Sequence, residues 1–400
     1  MMIPERPSLE RRVLSALDGS AGGGQRIPVV LGGCGTGRSS LLLRLRDLIG
    51  RSACQFIDVE RIATTPERMM QAIRDVTPFP MPGAAAARTD ASARAAFDGM
   101  LNFLGTARAP GDAPATFLLD EFLELRTFES FPGLRSVLRE LLTALAASGN
   151  RFVLTSRYTA RALRLLRDAP SQFEIAHVAP LTAAEIRATL PAGPDADHAP
   201  TPLHEAEDDR ARDELARLVQ ALSEGKPAYA RMLTETSAAM ATRGAPDPVS
   251  ALAALLAPGG ALTLHCRYCY ELRLHRARGY GALKAILEVL AEEEPLTLTE
   301  IALRLRRTPG STKDYLSWLE DVDLIVSHQK RYSFADPMMR LWVRLHCRPA
   351  PPSNEDVVRE VHRYVMGRLP AAEPAPALAL AGQPASAVER DKSWGIIEID

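Results

Sequence analysis

An apolar run, a glycine-rich turn and the start of a helical pattern follow one another in Arg26-Ile27-Pro28-Val29-Val30-Leu31-Gly32-Gly33-Cys34-Gly35-Thr36-Gly37-Arg38-Ser39-Ser40. Gly32, Gly37 and Ser39 have the spacing of the phosphate-binding loop G-x-x-x-x-G-K-[ST]. Arg38 departs from that motif, because it occupies the position of the lysine. The order of strand, loop and helix predicts a nucleoside triphosphate site, and the alternative is a glycine-rich turn that holds no ligand.

The chemistry of this loop follows from its backbone amides, which point at phosphate oxygens, and from the positive end of the following helix. We expect Ser39 to hold Mg²⁺, Ser40 to reach the α-phosphate and Arg38 to contact the β- and γ-phosphates. Arginine is larger than lysine and planar, which leaves efficient hydrolysis open. The nucleotide-binding residues predicted in the loop are Gly32, Gly33, Cys34, Gly35, Thr36, Gly37, Arg38, Ser39 and Ser40.

A second signal is a pair of acids at the end of the apolar run Phe117-Leu118-Leu119-Asp120-Glu121. The carboxyl end of a strand is where α/β sheets bind ligands. We expect Asp120 to hold Mg²⁺ together with Ser39, and Glu121 to polarise an attacking water. Such a pair alone often marks only a strand end that reaches solvent, but behind a phosphate loop it predicts a catalytic and metal site.

Two further segments add candidate residues. A buried strand pattern, Arg151–Thr155, runs into Ser156 and Arg157, and either side chain can sense the γ-phosphate if this strand lies beside the Asp120 strand. The alternative for Arg157 is a surface position at the start of the next helix. Gly225-Lys226-Pro227 precedes a helix, so the ring of Pro227 is a candidate contact for adenine, although the same pattern is common in ordinary loops.

Composition sets broad limits on the protein class. The chain has 400 residues, 46% hydrophobic and 24% charged, with a net charge of -1, which is typical of a globular protein without a global attraction to nucleic acid or membrane. The first residues lack the pattern of a signal peptide, and no apolar run reaches the roughly 20 residues of a membrane helix, so we expect a cytoplasmic protein. Cys266 and Cys269 form a C-x-x-C in a helical pattern, which favours buried cysteines over a zinc site.

The pattern along the chain predicts an α/β fold with a parallel sheet, because helical patterns separate short apolar strands. Those strands are Pro28–Leu31, Cys54–Val59, Thr116–Leu119, Arg151–Thr155 and Phe173–Val178. The predicted organisation is a P-loop nucleotide-binding domain over residues 1–190, a linker over 191–208, a helical lid over 209–260, a winged-helix domain over 261–348 and a flexible, mostly disordered tail over 349–400.

The segment from Tyr280 to His346 predicts a winged helix-turn-helix, because three helical patterns precede two short strand patterns. Thr297 and Glu300 form a capping-box pattern, and Asp336-Pro337 is a typical helix start. The expected recognition helix, from Ser311 to Asp323, has one lysine against four acids, which disfavours sequence-specific DNA binding. Basic residues near the first helix, at the end of the second and at Lys330-Arg331 leave nonspecific DNA contact open.

The order of these motifs resembles the STAND branch of AAA+-related ATPases, particularly the archaeal-type ATPases, over residues 5–346. The winged-helix part of the resemblance is carried by Tyr315-Leu316-x-x-Leu319-Glu320, Asp323-Leu324-Ile325, Tyr332-x-Phe334-x-Asp336-Pro337 and Arg340-Leu341-Trp342. The resemblance implies a molecular switch, closed with ADP and opened by ATP for assembly or signalling. It also implies Asp120 as a Mg²⁺ ligand, Glu121 as the water-activating acid, Arg157 as the γ-phosphate sensor and Pro227 at the adenine. Arg38 departs from the family pattern, and no effector domain is recognisable after residue 348.

We therefore expect an ATP- and Mg²⁺-binding switch ATPase that uses ATP and ADP, with slow hydrolysis and self-association or a protein partner. One alternative is a regulator that binds nucleic acid with ATP, and another is a scaffold that holds nucleotide without hydrolysing it. The terminal segment Trp394–Asp400, an apolar and acidic alternation, is expected either to add to the sheet edge of a partner or to remain on its own chain.

Overall fold

The computed structural model describes residues 6–19, 25–80, 92–190, 202–241, 246–275 and 279–369. Within the segment 202–241, side chains are described from residue 208 onward. The described residues up to Arg368 form one compact unit. The predicted division into five domains stays a prediction. The segments 81–91 and 370–400, which include the terminal strand-like pattern, lie outside the described residues.

Strands and helices alternate in the first half of the chain. The strands are β1 (Ile27–Leu31), β2 (Cys54–Asp58), β3 (Arg108–Ala109), β4 (Ala113–Pro114), β5 (Thr116–Asp120), β6 (Arg151–Ser156) and β7 (Phe173–His177). The helices are α1 (Pro7–Asp18), α2 (Arg38–Ile49), α3 (Val59–Ile62), α4 (Pro66–Asp75), α5 (Ala93–Thr106), α6 (Val137–Ala147), α7 (Thr159–Leu166) and α8 (Ala183–Thr189). Short 3-10 segments cover Pro110–Asp112 and Phe122–Ser130.

Five of these strands form one parallel sheet in the order β2-β5-β6-β1-β7. Its central strands are apolar at nearly every position, because a parallel sheet is covered on both faces. On one face Phe117 stacks on Phe152 with ring centroids 5.7 Å apart, and on the other face Leu118 packs with Leu42 of α2 and Val13 of α1. The predicted α/β parallel sheet is confirmed.

The second half of the chain is mainly helical. It contains α9 (Pro202–Ser223), α10 (Pro227–Met240), α11 (Pro248–Leu256), α12 (Ala261–His275), α13 (Tyr280–Glu292), β8 (Leu296–Thr297), α14 (Leu298–Arg304), α15 (Pro309–Asp321), β9 (Ile325–His328), β10 (Arg331–Phe334), α16 (Pro337–His346) and α17 (Asn354–Met366). The three short strands form an antiparallel sheet in the order β8-β10-β9. Two predicted helix starts are confirmed: Thr297 and Glu300 form a capping box, and the Asp336 carboxylate accepts the amides of Met338 and Met339.

Two predicted boundaries are wrong. The chain after residue 348 is not all flexible tail, because α17 buries Val357, Val361 and Val365 against α11 and α16, and the Tyr364 hydroxyl donates to the Leu222 carbonyl over 2.9 Å. The apolar residues of α17 recur at helical spacing, and this period stabilises a helix within a segment rich in proline and alanine. The predicted linker over 191–208 is also too long, because α9 already begins at residue 202.

Candidate functional site

The glycine-rich loop connects the carboxyl end of β1 to the first turn of α2. Gly35 and Gly37 have φ angles of +75° and +88°, a backbone region in which residues with a Cβ are strained. A Cβ on Gly35 would also lie 2.9 Å from the Cβ of Ala228. The Thr36 hydroxyl donates to the Gly33 carbonyl over 2.9 Å and closes the turn. The loop therefore has the backbone that a phosphate cradle requires.

The predicted magnesium residues lie together at this edge of the sheet. The Ser39 side chain, in the first turn of α2, lies close enough to interact with the Asp120 carboxylate, although β6 lies between β5 and β1, the strand that leads into the loop. Burial raises the pKa of Asp120, and the hydrogen bonds from Ser39 and Thr155 oppose part of that rise. One carboxylate and one hydroxyl fit Mg²⁺, which binds through one or two protein oxygens with water and substrate phosphates completing its shell.

Glu121 is held between two arginines. Arg38 Nη2 donates to Glu121 Oε1 over 2.5 Å, and Arg157 Nε lies 3.1 Å from the same oxygen. The backbone N–H of Arg157 donates to Oε2 over 3.0 Å, so both carboxylate oxygens are engaged. Glu121 has a φ of 55°, which is strained for a residue with a side chain and recurs at functional sites. The second guanidinium arm of Arg157 pairs with Glu60 at the start of α3.

Arg38 is buried within the loop rather than extended into solvent. Its Nη1 donates to the Gly32 carbonyl and lies 3.2 Å from the Thr36 hydroxyl, while its Nη2 is on Glu121. Its contact with the β- and γ-phosphates stays a prediction. In this arrangement Arg38 ties the phosphate loop to the acid that is expected to activate water.

The Gly225–Pro227 turn lies directly on the phosphate loop. The amide of Ala228 donates to the Gly35 carbonyl over 3.1 Å, and the Pro227 ring lies 3.8 Å from the Cβ position of Gly37. A cavity of about 40 Å³ opens beside this contact and is lined by Arg6, Glu10, Gly37, Ser40, Leu41, Arg44 and Pro227. Pro227 and Ser40 thus line the same cavity, and the adenine contact stays a prediction.

Helix α12 covers the other side of the loop. Cys266 and Cys269 are buried on it, as predicted, and the Cys269 sulfur lies 3.6 Å from His265 Nε2. Cys34 of the loop hydrogen-bonds to Cys269 and Arg273, so the pKa of Cys34 falls well below its ordinary value even though burial opposes the fall. Within the described residues no group of three or more His, Cys, Asp or Glu side chains is arranged to hold a metal ion.

The turn after α15 docks on the start of α7. The Asp323 carboxylate accepts the amides of Thr159 and Ala160, the second over 3.2 Å, and Arg164 pairs with Asp321. The acidic end of the expected recognition helix is therefore used for docking on α7. Binding of DNA by this helix stays a prediction.

Sequence analysis missed four residues of the site. Thr155 is fully buried, donates to Asp120 Oδ1 and accepts the Glu121 amide over 3.2 Å. A hydroxyl at the end of β6 indicates this role only once β6 is known to lie beside β5. Glu60 follows β2 at the same edge, which is a weak signal. No local pattern indicates Arg273 or Asp323, because both reach the site only through the packing of the second half of the chain.

Comparison with solved structures establishes the fold. A Walker-type ATPase of Pyrococcus abyssi superimposes with a TM-score of 0.59 at 16% identity, covering 86% of this chain and 96% of that one. The chain has the fold of a P-loop ATPase. Two further structures match at lower TM-scores. They are the Orc1 protein of Aeropyrum pernix in complex with DNA (TM-score 0.43, 16% identity, 86% of this chain and 92% of that one) and a STAND protein with a tetratricopeptide repeat sensor from Pyrococcus horikoshii (TM-score 0.32, 16% identity, 89% of this chain and 44% of that one).

No protein-family profile and no curated protein matches the sequence of this chain. Among its described helices, none alone is long and apolar enough to cross a membrane, whereas α11 and α12, which meet at 53°, reach that length and composition when taken together.

Proposed function

We propose that the protein is an ATP- and Mg²⁺-binding switch ATPase in which the second half of the chain responds to the nucleotide. The observation that carries the proposal is that three elements of this half, the start of α10, helix α12 and the turn after α15, contact the phosphate loop or the helix that follows Arg157. These contacts give a change at the loop a direct path to the second half of the chain.

The residues present fit ATP and Mg²⁺ on their own chemistry. The loop amides and Arg38 would hold the phosphates, and Ser39 and Asp120 would hold the metal. Bound there, Mg²⁺ would neutralise phosphate charge. Thr155 orients Asp120 through its hydroxyl and fixes the backbone of Glu121 through the amide.

Slow hydrolysis follows from the state of Glu121. A carboxylate activates water through an acceptor site that faces the water, and here Arg38 and the Arg157 side chain occupy Oε1 while the Arg157 amide takes one site on Oε2. These contacts fix the orientation of Glu121 and reduce the number of sites at which it can accept a proton. We therefore propose that the closed arrangement holds nucleotide without rapid turnover and that opening of the C-terminal contacts accompanies release of Glu121.

The order of α13, β8, α14, α15, β9 and β10 supports a winged-helix assignment for this half, which we propose as the output element. Its partner is proposed to be a second copy of the chain or another protein, since the acidic end of α15 lacks the positive charge that DNA requires.

The experiment first uses mass spectrometry to identify any nucleotide that co-purifies with the protein. Light scattering then measures the particle mass of wild type in ADP and of the Glu121→Gln variant in ATP. The matched control is Glu129→Gln, a partly exposed acid of the 3-10 segment after β5. A larger or more extended species only with ATP supports the switch. Equal mass and hydrodynamic radius in both nucleotides contradict it, and absence of nucleotide binding contradicts the site itself.

A further inference from the structure

One face of helix α12 lies along the phosphate loop. His265, Cys269 and Arg273 follow one another at intervals of four residues on this helix and therefore share a face. His265 Nε2 lies 3.5 Å from the Cβ position of Gly35, and Arg273 Nη2 lies 3.9 Å from that of Gly33. The middle residue of this helix face, Cys269, is therefore opposite the loop residue between the two glycines.

That loop residue is Cys34, and its side chain interacts with the side chain of Cys269. Cys34 is partly exposed, whereas Cys269 is buried. Two sulfur atoms that already interact need only a small approach to reach the S–S bond length of about 2 Å. A bond between them would join the phosphate loop to a helix of the second half of the chain.

The surroundings of the two thiols differ in a way that suits stepwise oxidation. The interaction with Cys269 and the charges of Arg273 and Arg157 hold the pKa of Cys34 well below its ordinary value, although burial opposes this fall. Cys34 is therefore the thiolate, the form of cysteine that reacts with peroxides. The interaction with Cys34 and burial raise the pKa of Cys269, so Cys269 keeps its proton while Cys34 is a thiolate.

Oxidation of Cys34 prepares Cys269 to react. The negative charge of Cys34 is then gone, and the charge of Arg273, which lowers the pKa of Cys269, is opposed mainly by burial. His265 Nε2 lies 3.6 Å from the Cys269 sulfur. Burial lowers the pKa of His265, so its imidazole is uncharged at neutral pH and can accept the Cys269 proton.

We propose that Cys34 and Cys269 form a reversible disulfide that fastens α12 to the phosphate loop and closes the loop to nucleotide, with hydrogen peroxide as the oxidant. The bond itself is independent of the proposed function, whereas its effect on nucleotide rests on that function. The bond draws Cys34 toward α12, so the loop amides lose the orientation that phosphate requires and the helix cannot move aside.

The reaction has two steps. The Cys34 thiolate attacks one peroxide oxygen, an S–O bond forms, the O–O bond breaks, and the hydroxide that leaves takes up a proton to give water. Cys269 then gives its proton to His265, and its sulfur attacks the sulfur of the Cys34 sulfenic acid. The S–S bond forms, the S–O bond breaks, and the second hydroxide leaves with the proton from His265 as water. Two thiols thus lose two electrons and two protons, and one peroxide is reduced to two waters.

The first test maps disulfides in the full-length protein, which is treated without nucleotide with a small excess of hydrogen peroxide and digested without reduction. Mass spectrometry is expected to find the Cys34 and Cys269 peptides joined, and dithiothreitol is expected to separate them. The map on wild type needs no variant, so it does not depend on whether a variant folds. Cys34→Ser and Cys269→Ser should lack the joined peptides, and the matched control Cys347→Ser, at a partly exposed cysteine outside the loop, should keep them.

The second test measures the uptake of a fluorescent ADP analogue with Mg²⁺ by stopped flow. We expect uptake by the oxidised wild type to be slower by at least about tenfold than by the reduced protein, because a lid that cannot move limits access. Dithiothreitol should restore the rate, and peroxide should leave the rate of Cys34→Ser unchanged.

The outcomes separate the proposal from the proposed function. No disulfide, a bond between Cys266 and Cys269, or a bond between two chains overturns the inference. A bond between Cys34 and Cys269 that leaves nucleotide uptake unchanged overturns it as well, because the loop is then not closed. If the reduced wild type binds neither ATP nor ADP, the proposed function fails, and the peptide map still confirms or refutes the bond.

Discussion

The guanidinium of Arg38 and the carboxylate of Glu121 form a buried ion pair of 2.5 Å, with side-chain exposures of 7% and 5%. The pair joins the position where the phosphate-loop motif has lysine to the acid that follows the Asp120 strand. Lysine is a compact point charge and lacks the forked donors that let Arg38 hold Gly32 and Glu121 at once. Arginine at this position therefore allows a direct contact with Glu121 that lysine could not make while also holding Gly32.

Replacement of Arg38 by lysine is expected to raise ATP turnover about tenfold, because one of the two arginine restraints on Glu121 is removed, and a hydrogen bond to a charged group contributes roughly 1.5–3 kcal/mol. The measurement is steady-state phosphate release at saturating MgATP. The control is Arg51→Lys, on an exposed arginine after α2. A turnover equal to or below wild type would show that Arg38 does not restrain the acid.

Replacement of Thr155 by valine tests the support of the two acids. The hydroxyl donates to Asp120 and accepts the Glu121 amide, so valine leaves the buried Glu121 amide without this partner and removes one hydrogen bond from Asp120. We expect the free energy of unfolding to fall by about 1–3 kcal/mol in urea denaturation. Thr155→Ser retains the hydroxyl and should lose less, and Thr106→Val, on an exposed helix hydroxyl, should change little. Equal losses in the valine and serine variants would contradict this role.

The parallel sheet and about half of the site residues can be predicted from the sequence, because short contiguous patterns indicate them. Val29-Val30-Leu31 is a continuous apolar run that a strand buried on both faces requires, and Gly37 and Ser39 have a motif spacing. Asp120 was predicted as a metal ligand from its place after a strand, and the structure brings it to Ser39.

The remaining site residues depend on contacts between distant segments. Arg273 belongs to a group of basic residues that the sequence assigns to a possible DNA-binding surface, but the packing of α12 turns it toward the loop. Asp323 belongs to the winged-helix pattern, but that pattern does not indicate docking on α7, which exists only because α15 ends beside α7. Helix α17 differs, because the proline and alanine content around it predicts disorder, whereas Val357 and Val361 recur at the spacing of a helix.

The docking of Asp323 on α7 is expected to depend on pH. Burial raises the pKa of Asp323 from 3.8 to about 6, and the α7 amides and the charges of Arg273 and Arg161 oppose part of the rise. Because the pKa is raised in the folded protein, the contribution of Asp323 to stability is complete below pH 3.8 and is lost as the pH rises through about 6.

Asp323→Asn removes this titration and makes the effect measurable. The free energy of unfolding of wild type, taken relative to Asp323→Asn, should increase by roughly 2 kcal/mol as the pH falls from 7.5 to 4.5, because most of the rise of about two pKa units is crossed in that range. Urea denaturation at intervals across that range provides the difference. Asp314→Asn, at an exposed position of α15, is the matched control. A difference that is constant with pH, or that changes in the opposite direction, would contradict the assignment.

Cys34 is expected to be the most reactive of the cysteines near the loop. The hydrogen bond from Cys269 and the charges of Arg273 and Arg157 lower the pKa of Cys34, whereas burial raises the pKa of Cys54 to about 12. Thiolates react with iodoacetamide and thiols do not, so at pH 7 Cys34 should be alkylated at least about tenfold faster than Cys54, as followed by peptide mass spectrometry. MgATP should slow the reaction, because the phosphates cover the loop, and Arg273→Met should slow it without nucleotide by removing a stabilising charge. Equal rates at Cys34 and Cys54 would show that Cys34 is not held as a thiolate. A rate at Cys34 that saturating MgATP does not change would show that the nucleotide does not bind over this part of the loop.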